Sequence, residues 1–357
     1  MSFYQMMQLG PETLKPKIKE SIDNNEKRKY IAAFILKAIL CLLFCTIFVT
    51  IFSVIFGGDN SVVGVISVIL LLTFRVSNLD FDIKESVFAI FGIYIIYAIG
   101  PFLASICNPY LAAIINFSSI LILIIISCHN TQLSNQSVIV LSYLLLYGNK
   151  VNSKAIYVNR IFALIVGSII VATIFYMKQR ENRFENTFID ILKDLSIKDS
   201  RTRWQIKISI IIATSMLIGE LLHFERSMWI GFACISIMQP QKDKLKGRLI
   251  ERPMYAVLGC IVFTLTYCFM HKIPSAFFGM IGGFMASFST TYRWKMIFNS
   301  FGALSAAIPI VGFSGAILLR IINNIFGALY IWICTKGYDI FKNKFGRDVV
   351  IDGNETI

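Results

Sequence analysis

Apolar runs, most of them long enough for a helix to cross a bilayer, recur along nearly the whole chain, broken by short polar turns. They predict spans near 31–56, 61–75, 86–106, 110–128, 136–149 and 155–176, and a second set near 205–223, 227–240, 254–271, 274–290, 296–313 and 317–335. One long polar segment separates the sets. In it Phe184, Phe188, Ile191 and Leu195 recur at helical spacing, which predicts an amphipathic piece. The expected fold is an all-α, polytopic transmembrane helical bundle of about twelve spans, ten being the other count considered. Its layout reads as a cytoplasmic segment 1–29, a first repeat 30–176, a linker 177–203, a second repeat 204–335 and a cytoplasmic tail 336–357.

The two sets read as copies. "AIFG" at 89–92 matches "AVLG" at 256–259, and Gly64 matches Gly231 at the same offset. "RIFALIVG" from Arg160 to Gly167 matches "RIINNIFG" from Arg320 to Gly327. Six spans per copy is an even number, so the copies point the same way and form parallel repeats about an axis along the membrane normal.

Composition agrees with a membrane chain: 56% of the 357 residues are hydrophobic and 15% charged, against about 25% charged in soluble domains. The net charge of +13 reads as lysine and arginine held on one membrane face rather than as a nucleic-acid footprint. Lys27, Arg28 and Lys29 precede the first span, and Lys242, Lys244, Lys246, Arg248 and Arg252 crowd one turn. Lys342, Lys344 and Arg347 follow the last span. All fall on one side, so a plasma membrane protein with both termini cytoplasmic is expected; Lys150 and Lys154 violate the pattern. The N-terminus lacks the features of a cleavable signal, so the first apolar run reads as a retained span. The cysteines form no metal or C-x-x-C pattern and read as packing residues.

Charges inside apolar runs are the functional candidates. Arg160 and Arg320 enter their spans at equivalent places, which suits either anchors to lipid phosphate or a pair of guanidinium forks around a shared anion path. Gly167 and Gly327, nearly two turns on, lie on the same helical faces and read as packing positions. The short segments holding Gly64 and Gly231 occupy matching places in the two halves, as transporter binding sites do. Trp229, with Met228 and Phe232, would make a flat apolar wall for an aromatic ligand, or else an interfacial belt. Glu220 is the clearest acid within a span: protonated, paired with Arg226, or a carrier of a coupling proton. Lys37 and Lys207 can snorkel to a surface. No Walker sequence, histidine metal motif or second acidic pair beside Asp80 and Asp82 is present, so no enzyme, metal or cofactor is expected.

"SMWIGFACISIMQPQKDKLKGRLIERPMYAVLGCIV" resembles the fusaric-acid-resistance-like membrane domain of the aromatic acid exporter superfamily. The resemblance covers 201–335 well, through Trp229, Arg252 with Gly259, and Arg320 with Gly327. Residues 28–178 look like a diverged copy, with Glu85 for the arginine and Val62 for the tryptophan. The resemblance implies export of small organic anions, aromatic ones among them, driven by an ion gradient, often with a periplasmic adaptor. Arg252 joins the ligand candidates on this basis. A passive anion channel, a scaffold of envelope biosynthesis and a homo-oligomer are the other expectations carried forward.

Overall fold

A computed structural model describes residues 1–270 and 272–345, without the side chains of 242, 243 and 338–345. His271, Arg347 and the tail beyond it lie outside the described residues, as do the side chains of Lys242, Lys342 and Lys344. Two short N-terminal helices, α1 (Phe3–Gln8) and α2 (Pro11–Glu20), precede the bundle. The first half is α3 (Asn24–Phe56), α4 (Ser61–Phe74), α5 (Ile83–Ile106), α6 (Pro109–Ser127), α7 (Gln136–Gly148) and α8 (Lys154–Gln179). The short α9 (Phe188–Lys193) follows. The second half is α10 (Ser200–Leu221), α11 (Met228–Ile237), α12 (Lys242–Phe269), α13 (Ser275–Ser287) and α14 (Tyr292–Phe345). Every apolar run read from the sequence is helical, and no strand occurs among the described residues.

Seven of these helices are long and apolar enough to cross a membrane; α4, α7, α11 and α13 are shorter. The last two expected spans form one kinked helix, α14. Its limbs meet at Gly312, where φ is 74°, a conformation that glycine adopts without strain. Both limbs lie against α12: Gly259 of α12 faces Ile297 and Ser300, and Arg252 reaches Asn324.

Three of the short helices, α4, α7 and α11, sit deepest, while α13 buries only Phe278 and Gly282. All but Phe232 and Ser236 of α11 are buried, whereas α3 turns Ile39, Leu43, Ile47, Ile51 and Ile55 outward. In a bilayer an apolar outer surface is solvated by lipid and needs no cover. Ten residues of helix reach only ~15 Å, half the hydrocarbon core, so α11 needs neighbours to satisfy its ends.

The polar linker is shorter than expected, because α8 runs on to Gln179 and α10 begins at Ser200. Within it Thr187 caps α9 with Asp190 in a reciprocal box. Ile191 is buried and Phe184 and Phe188 pack on the core, but Leu195 falls beyond the helix. Glu85, at the first half's counterpart of Arg252, accepts the Phe188 N–H and so ties α9 to the start of α5.

Candidate functional site

Arg320, on the second limb of α14, is 3% exposed. Its guanidinium carbon lies 5.4 Å from the ring centroid of Trp229, within cation–π range. Trp229 is itself 2% exposed and belongs to an apolar cluster with Met228, Cys260, Phe263, Phe278 and Phe301. Arg320 Nε is buried without an acceptor, and its guanidinium has no hydrogen-bond partner among the described residues.

Arg252, on α12, is 5% exposed. Its Nε donates to Asn324 Oδ1 at 2.9 Å, and its Nη1 meets only the thioether of Met296, a weak acceptor. Asn324 Nδ2 in turn donates to the Arg320 carbonyl at 2.7 Å, so one amide joins the two arginines. Neither ion pair found among the described residues, Arg201–Asp199 and Arg293–Glu251, involves Arg252 or Arg320. Burying two cations without a counter-ion costs several kcal/mol apiece even after relaxation. An anion between them would recover part of that.

The sequence explains how the cluster closes. A methyl at Gly327 would lie 2.7 Å from Ala233 Cβ, and one at Gly259 would lie 2.8 Å from the Ile297 carbonyl. Glycine at both places lets α14 settle against α11 and α12, which brings Arg320 onto the start of α11. One turn from Arg252, Arg248 donates to the Ser236 carbonyl at 2.7 Å and lies over Tyr292, 4.5 Å from its centroid. Three arginines therefore line the seam of α11, α12 and α14.

Arg160, matched to Arg320 in the sequence, lies at the turn that opens α4, and each of its guanidinium nitrogens has an acceptor. Nε reaches Asn60 Oδ1 at 3.0 Å, Nη1 the Asn149 carbonyl at 2.6 Å and Nη2 the Asp59 carbonyl at 2.9 Å. Arg160 and Arg320 share no hydrogen-bond partner. Gly64 packs on Phe52 and Val49 of α3, and Gly231 on Leu144 and Met216, so both glycines mark close helix contacts.

Of the three readings of Glu220, the pair with Arg226 is not formed. Its carboxylate accepts from the hydroxyl of Tyr147, in the other half, and from Ser227 Oγ at 3.4 Å. It lines a cavity of about 400 Å³ between the ends of α5 and α7 and the turn 222–227. Asn323 ties this turn to the arginines: its Nδ2 donates to the Glu225 carbonyl at 3.3 Å, while its buried Oδ1 has no partner. Asn323, Asn324, Tyr147 and Arg248 were not singled out from the sequence as ligands. The signal for the first two was two adjacent amides inside an apolar run, three and four residues after Arg320.

The family comparison falls on this half. Residues 212–334 match the family model described as fusaric acid resistance protein-like. The match includes Glu220, Trp229, Arg252 and Arg320 and excludes Arg160 and Gly64. A protein of Neisseria gonorrhoeae, described as uncharacterized protein ORF2, is 28% identical over 155 residues, 42% of this chain. The chain's match spans 37% of that relative's length. No solved structure matches. The resemblance read from the sequence thus holds where the arginine cluster lies, and residues 212–334 form a fusaric acid resistance protein-like region.

Proposed function

We propose that this chain is a plasma membrane transporter exporting small organic anions, with Arg320 and Arg252 as the cargo's cationic partners. One observation carries the reading: Arg320 is a nearly buried guanidinium stacked on Trp229 and left without an acceptor by the protein. A carboxylate would take both free edges of that fork. The Trp229 cluster beside it suits the ring of an aromatic acid.

The wider arrangement belongs to the same proposal. Twelve segments, two of them the limbs of α14, cross as two parallel repeats of six with both termini cytoplasmic. The equivalent seats of Arg160 at the start of α4 and Arg320 at the start of α11 support the repeat. Glu220 is the candidate for proton coupling, because its carboxylate bridges the two halves through Tyr147. A periplasmic adaptor would receive the cargo.

The test is accumulation of radiolabelled benzoate, and of a wider aromatic acid panel, in a deletion strain carrying Arg320 variants. Hydrogen bonds to a charged group are worth roughly 1.5–3 kcal/mol, and each 1.4 kcal/mol is tenfold. Arg320→Gln should therefore weaken export by tenfold or more at normal membrane abundance. Arg320→Lys, which keeps the charge but loses the fork and the stack, should fall close behind. Wild-type export by both variants would remove the site and leave the scaffold reading standing.

A further inference from the structure

One side chain belongs both to the cavity at the seam of the halves and to the apolar cluster beside the arginines. Met228, the first residue of α11, lines the cavity and also belongs to the apolar cluster of Trp229. Opposite it stands Gly148, the last residue of α7. A methyl at Gly148 would fall directly on the Met228 thioether, 2.7 Å from its Cγ. The Met228 side chain thus crosses the seam and seats where any larger residue would place its own first carbon. Methionine is unbranched, with three rotatable bonds and no strong hydrogen bond to break, so it can withdraw by changing rotamers.

The surroundings suit a passage. Lys150 and Arg226 line the cavity, one from each half, beside Glu220 and Glu225, so an anion passing through finds fixed cations to pair with in a lining of balanced formal charge. The turn between cavity and cluster holds two non-glycine residues at positive φ, His223 at 55° and Arg226 at 59°. Such strain persists where surrounding contacts impose it and recurs at switch regions. Here Asn323, neighbour of the amide that joins the arginines, grips the turn at the Glu225 carbonyl.

We infer that the cavity is the vestibule through which an anion leaves the Arg320 site, and that Met228 is the gate, closing against Gly148. This rests on the function proposed above for Arg320. Glycine at 148 is what close packing would also require; the gate adds the requirement for a side chain at 228 that can withdraw.

The experiment uses the full chain in proteoliposomes and cells, with Cys107, which lines the cavity, kept as the single cysteine. A membrane-impermeant thiol reagent added outside intact cells should modify Cys107, and a bulky adduct there should cut benzoate export at least fivefold. Downhill benzoate flux should rise tenfold or more in Met228→Ala, which removes the gate, and in Gly148→Ala, which displaces it. Unreactive Cys107, or full export with the adduct in place, overturns the vestibule even if both gate variants fail to reach the membrane. If Arg320→Gln abolishes flux while both gate variants carry only wild-type flux, the gate falls and the Arg320 site stands. If Arg320→Gln flux is normal, the Arg320 reading falls and takes the gate with it, whatever the accessibility of Cys107.

Discussion

Arg160 and Arg320 carry one chemical group at one spacing from a glycine, yet the protein surrounds them differently. Arg160 clamps the turn before α4 to the turn after α7 with three hydrogen bonds, one to a side chain and two to carbonyls. Among the described residues Arg320 is offered an aromatic face and no oxygen. Lysine substitution should therefore separate them. Arg160→Lys forfeits the planar fork and should lower stability by about 3 kcal/mol, two of the three bonds being lost at roughly 1.5 kcal/mol each, the low end for a charged group. The loss is read as an earlier midpoint of thermal unfolding in detergent, with benzoate affinity kept. A tenfold affinity loss in Arg160→Lys at unchanged stability would restore the shared-path idea. The spacing made both arginines visible in the sequence. It could not say which would meet protein oxygens, because Asn60, Asp59 and Asn149 lie 100, 101 and 11 residues away from Arg160 in the chain.

Elements were the most legible level, since each apolar run had length and polar punctuation to mark it. What escaped was the joining of the last two runs into α14, and how far α8 and α10 extend into polar sequence. Hydropathy sees what lipid requires, while helix ends are set by caps and local contacts. Close packing between elements is testable at Gly327. Alanine there would press on Ala233 Cβ at 2.7 Å and the Ile230 carbonyl at 3.2 Å, and overpacking of this kind costs about 1–3 kcal/mol. Adding Ala233→Gly should return most of the loss; failure of that rescue in thermal unfolding would show that the contact is not the cause.

A second element-level test is electrostatic. In the turn after α6, His129 Nδ1 accepts from Arg201 Nη1 at 3.0 Å, tying α6 to α10. Burial first, and then Arg201, hold the imidazole below its ordinary value of 6.5, with Asp80, Asp194 and Asp199 opposing. The folded state consequently binds fewer protons than the unfolded chain. The stabilisation from neutral His129 is present above about pH 6.5 and is lost as pH falls from there through the lowered folded value. Melting midpoints measured from pH 7.5 to 5 should drop across that window, and His129→Gln should flatten the drop. An unchanged slope in the variant would remove His129 as its source.

At the scale of the whole molecule, matched motifs in the sequence suggested two copies, but they did not foretell how differently the two sets of matched residues are used. In the second half Arg252 reaches Asn324 beside Arg320, while in the first half Glu85, the residue matched to Arg252 in the sequence, accepts the first N–H of α9. The orientation follows from the same comparison. Lys244, Lys246 and Arg248 open α12 beside the end of α11, whereas Lys150 and Arg226 line the cavity at the start of α11. One ten-residue helix thus has a basic turn at one end and a mixed-charge cavity at the other. Retention of lysine and arginine on the cytoplasmic side predicts the basic turn inward and the cavity outward, which would make Lys150 part of the proposed vestibule rather than a stray charge. In a cysteine-free background, a cysteine at Lys244 should resist an impermeant thiol reagent in intact cells and react after permeabilisation. A cysteine at Lys150 should react in both conditions. The reverse pattern would invert the molecule and turn the proposed exporter into an importer with its gate facing the cytoplasm. Labelling of both positions from outside would mean that α11 and its neighbours do not cross at all, which would remove the transport path altogether.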